Sequence, residues 1–227
     1  MQEPRIPLAR EGYPFIGLFA FLTLICAVSG HGMATLLLAA LTIFTLYFFR
    51  DPDRILPTGD DVIICPADGR VIQIDKEFDD SFLGEQAYKV SIFMSIFDVH
   101  VNRLPFSGTV RKIQYFPGKF YSANTSRGSL ENEKCSLVID TDIGRSYAVA
   151  QVAGLVARRI VCWAEPGDTI ARGQRYGLIR FGSRVDLYLP MQVQLEVTVG
   201  QKVKAGETAL GYFYPDNAGQ SESAGDA

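Results

Sequence analysis

Histidine is nearly missing from this 227-residue chain: there are two, His31 and His100. A histidine-rich metal site is thereby excluded, no metal is expected, and any imidazole base must be one of these. The four cysteines, Cys26, Cys65, Cys135 and Cys162, form no C-x-x-C pair. That spacing argues against a zinc ribbon, a thioredoxin-type site and a disulfide scaffold; reduced, cytosol-facing thiols fit better. Excess positive charge is also lacking. The formal net charge is −3 and the isoelectric point about 5.5. A duplex-binding protein that neutralises phosphates is usually basic, so nucleic acid is not expected as a partner. At 48% hydrophobic residues, the chain is too apolar to be disordered.

Charge is missing altogether from residues 12–49, which contain no Asp, Glu, Lys or Arg. Two apolar halves, 14–29 and 33–49, are separated by Gly30-His31-Gly32. The stretch is too long and too divided for a signal peptide. As one helix it would run roughly 57 Å, against a hydrocarbon core of ~30 Å. The glycine-bounded break instead predicts a helical hairpin, with His31 as a polar turn residue. Each arm is near the lower limit for crossing a bilayer, so the hairpin either crosses or enters one leaflet. Arg5 and Arg10 precede it, and Arg50 and Arg54 follow it. Positive flanks at both ends place both ends in the cytoplasm. The expected location is the cell (inner) membrane, with the remaining domain on its cytoplasmic side.

After residue 50 the composition changes. Short β-branched runs at 62–65, 70–74, 88–93, 108–114, 136–139, 145–152, 155–163, 177–181, 185–189, 194–197 and 209–214 alternate with Gly, Pro and Asp. This spacing predicts a mainly β fold, an antiparallel sandwich or barrel. A repeat of the form G-x-x-[IV]-x-x-G occurs at 167–173 and again at 200–206. Its glycines suit turns with φ > 0 around a short strand, as in lipoyl-like folds. The turn Leu189-Pro190-Met191-Gln192 carries no lysine, which disfavours a swinging-arm carrier. The expected organisation is a membrane-associated hairpin over 1–50, a β domain over 51–216 and a disordered tail over 217–227.

Four segments could carry chemistry. Pro66-Ala67-Asp68-Gly69 follows an apolar run; alone it reads as a β-turn. Residues 91–105 end a hydrophobic run by presenting Asp98, His100, Asn102 and Arg103. In extended geometry Asp98, His100 and Asn102 share a face. The turn Tyr115-Phe116-Pro117-Gly118-Lys119-Phe120-Tyr121-Ser122 is either a hairpin with surface aromatics or an amphipathic lip for an anionic headgroup. Finally, Gly182-Ser183 is not a G-x-S-x-G nucleophile elbow, because residue 185 is Val. It is either a strand bulge or a site where Ser183 Oγ attacks the Gly182 carbonyl.

Taken together these segments resemble the phosphatidylserine decarboxylase family, in its short, membrane-associated bacterial proenzyme form. The resemblance runs from about residue 48 to 213. It rests on Phe48-Phe49-Arg50-Asp51-Pro52, Pro66-Ala67-Asp68-Gly69, Phe97-Asp98-Val99-His100-Val101-Asn102-Arg103, Pro117-Gly118-Lys119-Phe120, Ala153-Gly154-Leu155-Val156-Ala157-Arg158-Arg159-Ile160 and Phe181-Gly182-Ser183-Arg184. Each motif is weak alone; their order and spacing behind an apolar hairpin are specific.

The resemblance implies autocatalytic cleavage between Gly182 and Ser183, giving a β chain of 1–182 and an α chain of 183–227. Ser183 becomes a pyruvoyl group, a covalent cofactor made from the chain itself. The enzyme then decarboxylates bilayer phosphatidylserine to phosphatidylethanolamine and carbon dioxide. The catalytic set maps to Ser183, His100 and Asp68, with Asp68 orienting the imidazole. Lys119, Arg103 and Arg184 are candidate contacts for the substrate's phosphate or carboxylate. Two departures stand out. The L-G-S-T usual in longer family members is Phe181-Gly182-Ser183-Arg184 here, and the second histidine of their usual D-Y-H-x-x-H is Arg103. One imidazole therefore serves both maturation and turnover, or another group takes one role. A homo-oligomer is compatible with the sequence. The competing readings are a pyruvoyl decarboxylase of a soluble amino acid and a non-enzymatic, membrane-anchored lipoyl-like adaptor.

Overall fold

The computed structural model describes residues 6–119, 121, 131–154, 159–180 and 183–214. Arg5, Phe120, Gly182, the first part of the 155–163 run and the expected tail 217–227 lie outside them.

Two helices open the fold, α1 (Tyr13–Val28) and α2 (Gly32–Phe48). Gly30, with φ of 74°, turns the chain between them. The expected hairpin is present. At 16 and 17 residues, each arm is about 25 Å long. No residue of α1 is buried. The 19-residue helical segment Arg10–Val28 has a mean hydropathy of 1.7 and is long and apolar enough to cross a membrane; α2, at 17 residues, falls short of that length. Threonines of both helices return their hydroxyls to carbonyls one turn back, as Thr23 does to Phe19 and Thr42 to Leu38. Few polar groups are left bare on an apolar surface, as a lipid environment requires.

Fourteen strands follow among the described residues: β1 (Val62–Ile64), β2 (Gly69–Asp79), β3 (Glu85–Met94), β4 (Val101–Arg103), β5 (Gly108–Phe116), β6 (Lys134–Asp140), β7 (Ser146–Ala153), β8 (Ile160–Cys162), β9 (Thr169–Ile170), β10 (Arg175–Ile179), β11 (Ser183–Pro190), β12 (Val193–Leu195), β13 (Lys202–Val203) and β14 (Ala209–Phe213). The protein is mainly β with two N-terminal helices, and all strand pairs are antiparallel. The large sheet runs β13-β2-β3-β11-β7-β6-β5-β9, and two three-stranded sheets, β1-β14-β12 and β4-β10-β8, accompany it.

The glycine repeat closes both edges of the large sheet. β9 lies inside the first copy and pairs with β5; β13 lies inside the second and pairs with β2. Gly167, Gly173, Gly200 and Gly206 all have positive φ, 92°, 79°, 91° and 78°. The two copies make matching bonds: Gly167 N–H to Val110 O and Gly200 N–H to Val71 O, both at the start of a long strand. Such short edge strands leave no long open ladder for another chain to join.

β11 lies at the centre of the large sheet. Residues 183–190 pair with 94–87 of β3, and residues 183–188 pair with 153–148 of β7. Val185, Leu187 and Leu189 enter the main core. Ser183 has the same parity and shares their face. A second, smaller core joins the hairpin to the β domain: Ala9, Phe48, Phe49, Val99, Val101 and Leu178. This cluster fixes where the chain leaves the helices, and it flanks His100.

One expectation about charge is corrected. Arg54 is not a free flanking cation of the hairpin. Its side chain is buried and holds Asp68 and Glu207.

Candidate active site

Ser183 is fully buried at the first position of β11, between Met94 and Ala153. Its Oγ has no hydrogen-bond partner among the described residues. An unpaired buried hydroxyl costs about 1–3 kcal/mol, so in a packed core it calls for an explanation. The glycine that precedes it, Gly182, lies outside the described residues.

His100 is also fully buried. Its ring lies 4.3 Å from the Phe48 ring, centroid to centroid. Nδ1 sits 2.9 Å from the Asp98 carbonyl oxygen. A carbonyl only accepts, so Nδ1 carries the proton and Nε2 presents a lone pair. Nε2 is buried and has no partner among the described residues. Burial pushes the imidazole pKa down to about 4; the Asp98 contacts oppose this only in part. The ring is therefore neutral at pH 7, in the tautomer a general base requires.

Backbone and side-chain contacts link the segments that carry the two groups. The Ile179 N–H donates to the His100 carbonyl at 3.3 Å, and Ser183 follows four residues later. On the other side, Asn102 Nδ2 reaches Met94 Sδ at 3.5 Å, and Met94 is the cross-strand partner of Ser183. Gln151 Nε2 donates to Asn102 Oδ1 at 2.8 Å. This Gln151–Asn102–Met94 chain is completely buried and ties β4 to β7 and β3 beneath Ser183. Nothing in the sequence singles out Gln151, because its partner is 49 residues away.

Asp68 is placed differently from the expectation. Its carboxylate accepts two bonds from Arg54 Nη2, at 2.8 and 3.0 Å, and one from the Ala205 N–H at 2.8 Å. It makes no bond to His100. The orienting group for the imidazole is the Asp98 main-chain carbonyl. Asp98 does not share a face with His100 either: its carboxylate turns back to cap the N–H and hydroxyl of Ser95, at 2.8 and 2.7 Å. The reason is local. Residues 96–97 form a turn, and β4 begins only at Val101, so the period-2 alternation assumed for 98–102 is not in force.

The three candidate substrate cations also separate. Arg103 is buried and donates to the Gly173 and Pro52 carbonyls at 3.0 and 2.9 Å. Its guanidinium holds the hairpin exit at Pro52 to the turn at Gly173. Arg184 is 1% exposed and pairs with Asp186 at 2.7 Å. Each of these two arginines neutralises or satisfies groups inside the fold. Lys119 is exposed, next to Tyr121, and pairs with Glu131 at 3.0 Å. No cluster of His, Cys, Asp and Glu able to hold a metal occurs among the described residues.

Residues 41–211 match the family described as phosphatidylserine decarboxylase. Three relatives, each called phosphatidylserine decarboxylase proenzyme, align over nearly their whole length. The protein of Desulfotalea psychrophila is 56% identical over 211 residues, covering 93% of this chain and 99% of its own. That of Syntrophotalea carbinolica is 48% identical over 213 residues, 94% of this chain and all of its own. That of Nitratidesulfovibrio vulgaris is 46% identical over 218 residues, 96% of this chain and all of its own. A buried serine at a strand start, a neutral buried histidine and an apolar hairpin thus occur in a chain that belongs to the phosphatidylserine decarboxylase family.

Proposed function

We propose that Ser183 is the residue this proenzyme converts into its cofactor, with His100 as the base. The protein is a phosphatidylserine decarboxylase. It releases carbon dioxide from phosphatidylserine to leave phosphatidylethanolamine, using a pyruvoyl group made from its own chain. Two buried, unpartnered atoms near the ends of one short connection, His100 Nε2 and Ser183 Oγ, carry the assignment.

His100 Nε2 takes the hydroxyl proton as Oγ attacks the Gly182 carbonyl carbon. The Gly182–Ser183 C–N bond breaks, and an ester to Oγ replaces it. Removal of the Ser183 α-proton then expels the carboxylate of residue 182 from Cβ. The resulting enamine tautomerises, and water releases ammonia to leave the ketone. No external reagent but water enters. The product chains are 1–182 and 183–227. The α chain stays in place because its first eight residues are strand β11, laddered on both sides.

The pyruvoyl group fits this position. Ser183 is buried, its hydroxyl binds nothing described, and the strand behind it is fixed. When present, the group supplies a conjugated carbonyl as an electron acceptor for decarboxylation. His100, with Nδ1 held by Asp98, stores and returns the single proton, since Arg103 offers no second imidazole. The closed core around both residues excludes water and strengthens their electrostatic action. Lys119 is the cation left at the surface for an anionic headgroup. Asp68 acts through the ion-pair cluster and not on the ring.

We read the β domain, residues 51–216, as a lipoyl-like barrel, on the glycine repeat that closes its two edges. The hairpin, residues 1–50, enters the membrane and keeps the domain on the cytoplasmic face. That anchoring raises the headgroup concentration beside the site. Mass spectrometry of the purified protein tests the reading. Two chains divided between 182 and 183, with the α chain blocked at its N-terminus, are expected; an active, unbroken chain would overturn it. Turnover of phosphatidylserine but not free serine in detergent separates it from a soluble amino-acid decarboxylase.

A further inference from the structure

The turn between β3 and β4 carries two large apolar side chains outward. Ile96 is 40% exposed and Phe97 62% exposed, inside a domain whose other aliphatic strand residues are mostly buried. The turn is closed upon itself. Asp98 N–H donates to Ser95 O at 3.0 Å, and the Asp98 carboxylate takes both the N–H and the hydroxyl of Ser95. The Phe97 carbonyl is satisfied twice, by Tyr47 Oη at 3.1 Å and Arg50 Nη2 at 2.7 Å. Both donors belong to the end of the hairpin: Tyr47 is in the last turn of α2, and Arg50 follows it.

The Arg50 guanidinium also lies 3.9 Å from the Tyr47 ring centre. An aromatic ring and a cation at the end of an apolar helix mark the level of a membrane interface. The Ile96-Phe97 tip is bonded to that level. Its Phe97 carbonyl and the N–H groups of Ser95 and Asp98 are already paired, which lowers the cost of moving the turn out of water.

We propose that Ile96 and Phe97 insert into the same leaflet as the hairpin and form a second, interfacial membrane contact. This rests on the membrane association of the hairpin and goes beyond it. The occupant is the lipid surface, because the tip continues the apolar surface that begins on α2. The contact lies close in sequence to the chemistry. The residue after Phe97 is Asp98, whose carbonyl fixes the proton on His100 Nδ1. One turn thus docks on lipid and holds the catalytic base, which places the entrance for a two-chain phospholipid beside the imidazole.

Trp163 is the chain's single tryptophan, so Phe97→Trp in a Trp163→Phe background gives one reporter at the tip. On phosphatidylserine vesicles with brominated acyl chains its emission should be quenched. Unquenched emission while the protein floats with the vesicles would overturn the proposal and leave the hairpin reading intact. Protein that fails to float would overturn both. Concentration-dependent shielding without quenching would assign the tip to a second copy and also overturn it. In the Ile96→Ser/Phe97→Ser variant, the ratio of turnover on vesicles to turnover on dispersed short-chain phosphatidylserine should fall about tenfold. An unchanged ratio would count against the contact, and normal chain masses show that folding and self-cleavage survive.

Discussion

Two buried polar clusters in this protein follow opposite rules. Around Asp68 every charge is matched. Arg54 holds Asp68 and Glu207, Arg175 holds Asp51 and Asp53, and Arg103 leans on Asp51 at 3.6 Å. At Ser183 Oγ and His100 Nε2 the polar atoms have no partner among the described residues. The contrast separates structural from chemical burial. A satisfied ion-pair cluster holds its charges in fixed bonds, whereas a bare hydroxyl and a neutral imidazole with a bare lone pair keep their reactive atoms available. The Asp68 carboxylate bonds Arg54, which lies on the hairpin exit, and the Ala205 N–H, so the pair fastens that exit to the turn at Ala205.

Replacement of Ser183 breaks the comparison most sharply. Ser183→Ala should leave one chain of full length and no decarboxylation, because the atom that becomes the ketone carrier is gone; denaturing electrophoresis and carbon dioxide release measure both. His100→Ala should slow self-cleavage by about 10²- to 10⁴-fold, the usual worth of a positioned base, in pulse–chase of newly made protein. Wild-type cleavage rates in that variant would assign the base elsewhere.

Asp68→Asn probes the matched cluster. It leaves Arg54, whose side chain is 7% exposed, with only Glu207. A loss of about 3 kcal/mol is expected, read as a lower thermal midpoint in the uncleaved Ser183→Ala background. The fraction that folds should still cleave; a folded Asp68→Asn protein that does not cleave would return Asp68 to the chemistry.

The smallest effect concerns pH. The folded-state pKa of His100 is lowered from 6.5 to about 4. Between those values the unfolded chain binds a proton that the native ring refuses. The stabilising contribution is thus complete above 6.5 and is lost as pH falls toward 4. Self-cleavage of protein made by cell-free translation should hold level from about pH 8 to about pH 6 and halve only near pH 4, where an ordinary imidazole would halve near 6.5.

Much of this was legible from residues. The charge-free run with its Gly-His-Gly break is a hairpin because apolar periodicity and a left-handed glycine are local properties. The β runs from 62 to 214 fall within a few residues of the strands, since alternation and turn chemistry are local too. The glycine repeat pointed to positive φ, which all four glycines have. Ser183 and His100 could be named because each is scarce or distinctive in context.

What the sequence determined by itself was which segments are apolar, where the chain turns and which side chains could react. Pairing was decided only by the tertiary structure. Asp68 and Arg54 are 14 residues apart, Asn102 and Gln151 are 49 apart, and Arg103 and Arg184 are both enclosed. Hydrogen bonds and ion pairs form between whatever groups the sheets bring within about 3 Å, and no residue records its distant neighbour in its own identity.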